Sequence, residues 1–258
     1  MENIMDNLVV ADVESIGIKL PHIIETAFLN VKTEELVTFR TRPPVPIEHQ
    51  AFLVHGISNE EIEKYSPFKG TYTKLVQEMV DSSILIGHNI SFDLRAFELE
   101  SIATHRSCIC TQKLAGILIK HGIIPKMSKQ LQLIRQALGI EEDTSHSAAG
   151  DIRVTLQVFN RMRKVFATLY SIKDIDDPAL IKKMIEDTNI SPRKQTMFFG
   201  DYKGIEFKDI YKENPQYLKK LFAKDDFPLG AKRDIYNLYK AQGEDLGFYE
   251  ALREPVFF

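Results

Sequence analysis

The sequence predicts an α/β protein, a mixed sheet with an antiparallel edge and flanking helices, followed by a small α+β C-terminal module. Three observations predict it. Three strand-like runs follow one another within the first 42 residues. Helical and short strand-like segments then alternate as far as a long amphipathic helix. After a polar connector, the composition changes to an aromatic-rich stretch.

The strand-like runs are residues 7 to 14, 22 to 31 and 34 to 42, the last two joined by a short turn, which reads as an antiparallel meander. Pro43, Pro44 and Pro46 break the sheet. Helical periodicity follows over 68 to 80, and the apolar run Ile84-Leu-Ile-Gly87 has the length of a buried strand. A helix is expected over 92 to 103, then a short strand near Cys108 and helices over 111 to 120 and 129 to 138, the last with Ser128 as its N-cap. From 148 to 166, Val154, Leu156, Val158, Phe159 and Met162 give a long amphipathic helix that closes the first domain, expected over 1 to 168. Residues 169 to 195 read as a connector carrying one short helix near 178 to 187, and 196 to 258 as the C-terminal module.

A 258-residue chain with 44% hydrophobic and 27% charged residues can bury one sizeable core and leave a small second domain. No run of about 18 apolar residues exists, and Met1-Glu-Asn-Ile-Met-Asp6 lacks the basic start and apolar core of a leader, so no membrane partner and a cytoplasmic location are expected. The net charge of -3 argues against wholesale coating of nucleic acid, yet not against gripping one strand end through metals. Cys108 and Cys110 are too few for a structural zinc site and read as buried thiols of a reducing compartment.

The chemistry starts at Asn7-Leu-Val-Val-Ala-Asp-Val-Glu14. Side chains two apart on a strand share a face, so Asp12 and Glu14 can reach one point at the strand's end. Two acids so placed repel unless a cation sits between them, and oxygen-only ligation suits Mg²⁺ or Mn²⁺. Glu61-Ile-Glu63 and Glu98-Leu-Glu100 repeat the spacing in helical contexts, where a solvated face is the ordinary reading. Ile84-Leu-Ile-Gly-His-Asn-Ile-Ser-Phe-Asp93 supplies a strand, a turn and an acid at a helix start, the end of an α/β sheet where ligands collect. A helix-dipole role is the alternative for Asp93. His146-Ser-Ala-Ala-Gly-Asp151 enters the long helix. In continuous helix its two ends would lie about 140° apart, so His146 is expected on the preceding loop, over Asp151. His88 and Asp93 show the same separation, so spacing alone does not choose a general base.

Asp12-x-Glu14, His88-Asn-x-x-Phe-Asp93 and His146-x₄-Asp151, in this order and in fitting strand or helix contexts over residues 7 to 165, resemble the three motifs of the DEDDh 3′→5′ exonucleases, which have a ribonuclease H-like fold. The resemblance implies that Asp12, Glu14, Asp93 and Asp151 hold two Mg²⁺ or Mn²⁺ ions, that His146 is the general base, and that His88 is structural. It implies a substrate-binding set of Ser15, Ile16, Gly17, His55, Asn89 and Phe92, through the loop after the acid pair, the His55-Gly-Ile57 segment and the second motif. Ser15 and Ile16 stand where the family usually has Thr, and Cys110 replaces a common Asp before Thr111. Neither departure touches an expected metal ligand.

In the module, Phe199-Gly-Asp-Tyr-Lys-Gly204 and Pro215-Gln-Tyr-Leu218 resemble the small domain following the nuclease in proteins similar to exodeoxyribonuclease X, although Asp201 replaces a usual Lys, and Lys219 or Lys220 a common aromatic. Its aromatics are either a binding surface or core, and Lys203, Lys208, Lys212, Lys219 and Lys220 either touch phosphates or are solvated. The expected activity is hydrolysis of 3′-terminal phosphodiesters at DNA 3′ ends, single strands preferred, giving 5′-mononucleotides. The rivals are RNA trimming and a non-catalytic scaffold that binds nucleic acid or protein.

Overall fold

The computed structural model of the protein describes residues 4–104, 107–141, 148–188, 196–197, 199–224, 227 and 229–247. The chain divides into two compact units, Met1–Asn189 and Ile190–Phe258.

The first unit is built on a five-stranded mixed sheet, ordered β3-β2-β1-β4-β5. β1 (Leu8–Ser15) pairs antiparallel with β2 (Ile23–Asn30), which pairs antiparallel with β3 (Leu36–Arg40). The expected third strand loses its first two residues to the turn. There the Asn30 side-chain oxygen accepts from the Lys32 and Thr33 backbone N–H groups at 2.9 Å, and Glu34 takes a left-handed φ of 57°.

The next helices are α1 (His49–His55) and α2 (Asn59–Ile62), neither of them long enough to show a 3.6-residue period in the sequence. Local chemistry sets their limits. Gly56, left-handed at φ 72°, ends α1, and the Ser58 hydroxyl accepts from the Glu61 N–H at the start of α2. The helix expected over 68 to 80 is two pieces, α3 (Phe68–Thr71) and α4 (Thr73–Ser82), with Gly70 at φ 83° interrupting the first.

On the other side of β1 lie two parallel strands, β4 (Ile84–Gly87) and β5 (Cys108–Cys110), joined through α5 (Ser91–Leu99). α5 stops four residues short of expectation. Ser101 is left-handed at φ 69°, and the Ser101 and Ile102 N–H groups turn back onto the Glu98 and Phe97 carbonyls. Next come α6 (Thr111–Lys120) and α7 (Leu131–Ala137), whose N-cap is Gln130 without a side-chain cap bond rather than the expected Ser128. α8 (Ala148–Leu169) and α9 (Pro178–Asp187) complete the unit.

One sheet face carries Leu8, Val10, Ala27, Leu29, Ile86 and Ile109, packed in one core with Leu114, Leu118, Val158, Phe159, Met162 and Phe166 of α6 and α8. α9 adds Leu180, Ile181 and Met184 to this core, so part of the segment read as a connector is packed into the first unit. On the opposite face Phe28 stacks on Phe97 of α5, ring centroids 5.8 Å apart. Among the described residues no helix is long and apolar enough to cross a membrane.

Among the described residues the second unit holds α10 (Phe207–Glu213), α11 (Pro215–Phe222) and α12 (Leu229–Lys240), with an antiparallel bridge between Thr196 and Glu206. Asn214 caps α11 through its side chain and Pro215 opens it. Phe207, Phe227 and Tyr239 are core, with Tyr211 edge-on to Tyr239 at 4.8 Å. Three of the five lysines singled out above are engaged within the unit: Lys208 with Glu206, Lys212 with Asp209, and Lys219 with Glu244.

Candidate active site

β1 outruns its parallel neighbour, and the site is built where it does. The β1–β4 ladder ends at Val10 opposite Ile86, so Val13 has no strand partner on that side. A carboxylate oxygen of Asp93 accepts from the Val13 N–H at 3.2 Å and takes the place of the missing strand. The turn from β4 into α5 brings it there. A Cβ at Gly87 would fall 2.6 Å from the Ile90 side chain and 3.2 Å from the Ala11 carbonyl, and Asn89 is left-handed at φ 68° with its carbonyl accepting from Phe92 N–H. Asn89 thus shapes the turn through its backbone. Phe92 is half-buried, with the Arg95 guanidinium 5.2 Å from its ring centre.

Along the face of β1 that packs on α8, Leu8 and Val10 are buried in the core while Asp12 and Glu14 are half-buried beyond it. Asp151 lies in the first turn of α8. These acids perturb one another. Burial, then the charges of Asp93, Glu14 and Asp151, hold the Asp12 carboxyl well above the ordinary carboxylate range. Burial, then Asp151 and Glu25, push Glu14 up to about 7. Burial pushes Asp93 up to about 8, against the backbone N–H groups that stabilise its charge.

Among the described residues, no three acidic, His or Cys side chains are gathered tightly enough to hold one ion as they stand. The donor chemistry nevertheless fits a hard divalent cation. Asp12, Glu14, Asp93 and Asp151 offer only oxygen, and each of the first three carries a proton affinity that a positive charge would relieve. His146 lies in 142–147, outside the described residues.

The loop after β1 starts with a register shift between Glu14 and Ser15. The buried Ser15 hydroxyl donates to the Gly17 carbonyl at 3.1 Å. The Ile16 side chain turns into a cluster with Ile24, Ile47, Ile57 and Ile62, while its carbonyl accepts from Glu48 N–H at 2.9 Å. At Gly17 the Glu48 carboxyl group occupies the space a Cβ would take, its carbon 2.3 Å from that position. His55 Nδ1 accepts from Ile57 N–H at 3.0 Å, which leaves the proton on Nε2. Burial lowers its pKa, opposed by the nearby Ser15 backbone and by the charge of Glu25. The two segments expected to meet a substrate end are therefore neighbours.

His88 is bound on both ring nitrogens, 2.9 Å from the Thr111 hydroxyl through Nδ1 and 2.7 Å from the Lys129 carbonyl through Nε2. A carbonyl can only accept, so Nε2 carries the proton and Nδ1 accepts from Thr111. Burial, its largest influence, lowers its pKa. His88→Ala is expected to destabilise the protein by about 1–3 kcal/mol through the unpaired groups it leaves, while hydrolysis in well-folded protein persists. Melting curves beside activity at low temperature check this; an unchanged melting temperature would contradict it.

The sequence reading missed Glu25, Arg40 and Thr111. Their signal lies in strand register and tertiary placement: Glu25 is directly opposite Glu14 on β2 and opposite Arg40 on β3.

The profile of the RNase T-type exonucleases matches residues 9–159, more than half of the chain. A PolC-type DNA polymerase III of Thermotoga maritima is 27% identical over 214 residues, 79% of this chain and 15% of the relative. That of Clostridium perfringens is 23% identical over 259 residues, 93% of this chain and 18% of the relative. The chain spans under a fifth of the length of these curated relatives. Among solved structures, the zinc-bound complex of Escherichia coli exonuclease I with single-stranded DNA superimposes with a TM-score of 0.54 at 16% identity, covering 64% of this chain and 42% of that one, a likeness of fold.

Proposed function

The chain belongs to the RNase T-type exonuclease family, and from that premise we propose that it hydrolyses the 3′-terminal phosphodiesters of DNA, single strands preferentially, releasing 5′-mononucleotides. The observation that carries the reading is the set of acids around the end of β1, whose proton affinities rise through burial and each other's charge. Exonucleases of this kind use divalent metal ions. Asp12, Glu14, Asp93 and Asp151 would hold two Mg²⁺ or Mn²⁺ ions, which when bound supply Lewis acidity and a more acidic water.

The chain's own groups do the rest. His146, ahead of Asp151 in the third motif, takes the proton of the attacking water at a ring nitrogen, since an imidazole with a pKa of about 6.5 is free to accept near neutrality. The backbone of Ser15 to Gly17 and the His55-Gly56-Ile57 segment, neighbours at His55, border the terminal nucleotide. Phe92, backed by Arg95, offers a ring on which a base of any identity can stack. The curated relatives are DNA polymerases, which favours DNA over RNA. We assign the reaction to the first unit, and the module at 196 to 258 to a separate supporting role, its lysine pairings leaving less free charge for phosphates.

The test is an end-labelled substrate assay. With Mg²⁺ or Mn²⁺ and 5′-labelled single-stranded DNA, a ladder shortening from the 3′ end is expected, faster than on duplex DNA or on RNA of the same sequence. Internal cuts, or degradation of RNA alone, would overturn the proposal.

A further inference from the structure

We propose that Glu25 and Arg40 act together as a positioning pair that sets how tightly the acid site holds its divalent cations, Glu25 as a further negative charge behind Glu14 and Arg40 as the counter-charge that limits it. The inference rests on the metal-dependent reading above.

Glu14, Glu25 and Arg40 are successive cross-strand partners on β1, β2 and β3, so they form one row on one face of the sheet. Like charges directly opposite each other destabilise a sheet, so two acids in such a row need a compensating group. Arg40 supplies it, its Nε donating to Glu25 at 2.8 Å. Glu25 is 7% exposed. A second guanidinium nitrogen donates to Glu61 on α2, which fixes the fork from the other side. The compensation is partial, because Glu25 stands directly opposite Glu14 while Arg40 lies one strand further out and divides its fork between Glu25 and Glu61. Neither residue is a metal ligand in this scheme. They act through Glu14, and a cation drawn to the acids feels the sum of both charges.

Calorimetric Mn²⁺ titration of the full chain without nucleic acid tests the idea on the wild type, Glu25→Gln, Arg40→Gln and the double variant. Glu25→Gln removes a negative charge and uncovers a positive one, and is expected to weaken binding about tenfold. Arg40→Gln should tighten it by a similar factor. The double variant, which removes no net charge, should return to within about threefold of the wild type and keeps the test open if a single variant folds poorly. The Mn²⁺ concentration for half-maximal hydrolysis should move in the same directions, with kcat at saturating Mn²⁺ unchanged. Equal losses in all three variants, as a purely structural pair would give, or unchanged affinity in Glu25→Gln overturn the proposal while leaving the metal reading intact. Absence of Mn²⁺ binding by the wild type overturns both.

Discussion

Asp12→Asn is expected to lower hydrolysis by about a thousandfold or more and, in protein stripped of metal, to raise the melting temperature at pH 8. The two effects have one cause. Asp12 sits among Asp93, Glu14 and Asp151, and all of these raise its proton affinity on top of burial. With a cation bound, the negative charge is a ligand, and losing it removes several kcal/mol of transition-state charge stabilisation. Without a cation, the same charge is a liability. Asn keeps the shape and removes the repulsion, which is worth a few degrees in a domain of this size if about 1 kcal/mol is recovered.

The pH dependence follows with a definite sign. Asp93 at about 8 and Glu14 at about 7 are held above the range near 4 that they have in an unfolded chain. Between those limits the folded state binds more protons than the unfolded one. Their contribution to stability is therefore complete below about pH 4 and is lost as pH rises through 7 to 8. Metal-free wild type should melt at progressively lower temperature over that window. Asp12→Asn should show a shallower decline, and saturating Mn²⁺ should flatten it. Thermal melts in chelator and in Mn²⁺, read beside single-turnover cleavage, check all three. Near-wild-type turnover by Asp12→Asn, or a metal-free melting temperature that climbs from pH 5 to 8, would contradict the account.

What could be read from the sequence was what local periodicity encodes. The meander, the short apolar strand Ile84–Gly87 and the long helix to which Asp151 belongs follow from alternation, length and amphipathic spacing. The positions of Asp12 and Glu14 on one face follow from the two-residue strand period. Cross-strand register was not legible. Nothing near Glu25 in sequence says that it faces Glu14, or that Arg40 faces Glu25, because the two pairings depend on where the loop from Ile16 to His22 and the turn at Asn30 to Glu35 set the meander. Short elements escaped for a related reason: α1 and α2 are fixed by Gly56 and Ser58, single-residue devices without a periodic signature. The connector reading of 169 to 195 followed polar composition. Within it, Asp177 caps and Pro178 opens a helix whose Leu180, Ile181 and Met184 complete the core beside α8. A fragment ending at Phe166 would strip these side chains from the first unit, so one ending near residue 189 is the better truncation.

His146→Ala is the second large effect. General base catalysis contributes about 10² to 10⁴ in rate, and a drop of that size is expected with Mn²⁺ affinity retained, because an imidazole that only moves a proton leaves the oxygen ligands in place. The pH profile separates this from a structural defect. Wild-type turnover at saturating metal should rise through the imidazole range, about pH 6 to 7, whereas His146→Ala should lose that limb. His88, which stands five residues before Asp93 as His146 does before Asp151, is the internal comparison. Its Nε2 proton is given to the Lys129 carbonyl and its Nδ1 is taken by Thr111, so no ring nitrogen is open to a water. His88→Ala should therefore keep the wild-type pH limb and differ chiefly in melting temperature. A folded His88→Ala protein that has lost the limb, beside a His146→Ala protein that keeps it, would move the base to His88 and require Thr111 to release it during turnover.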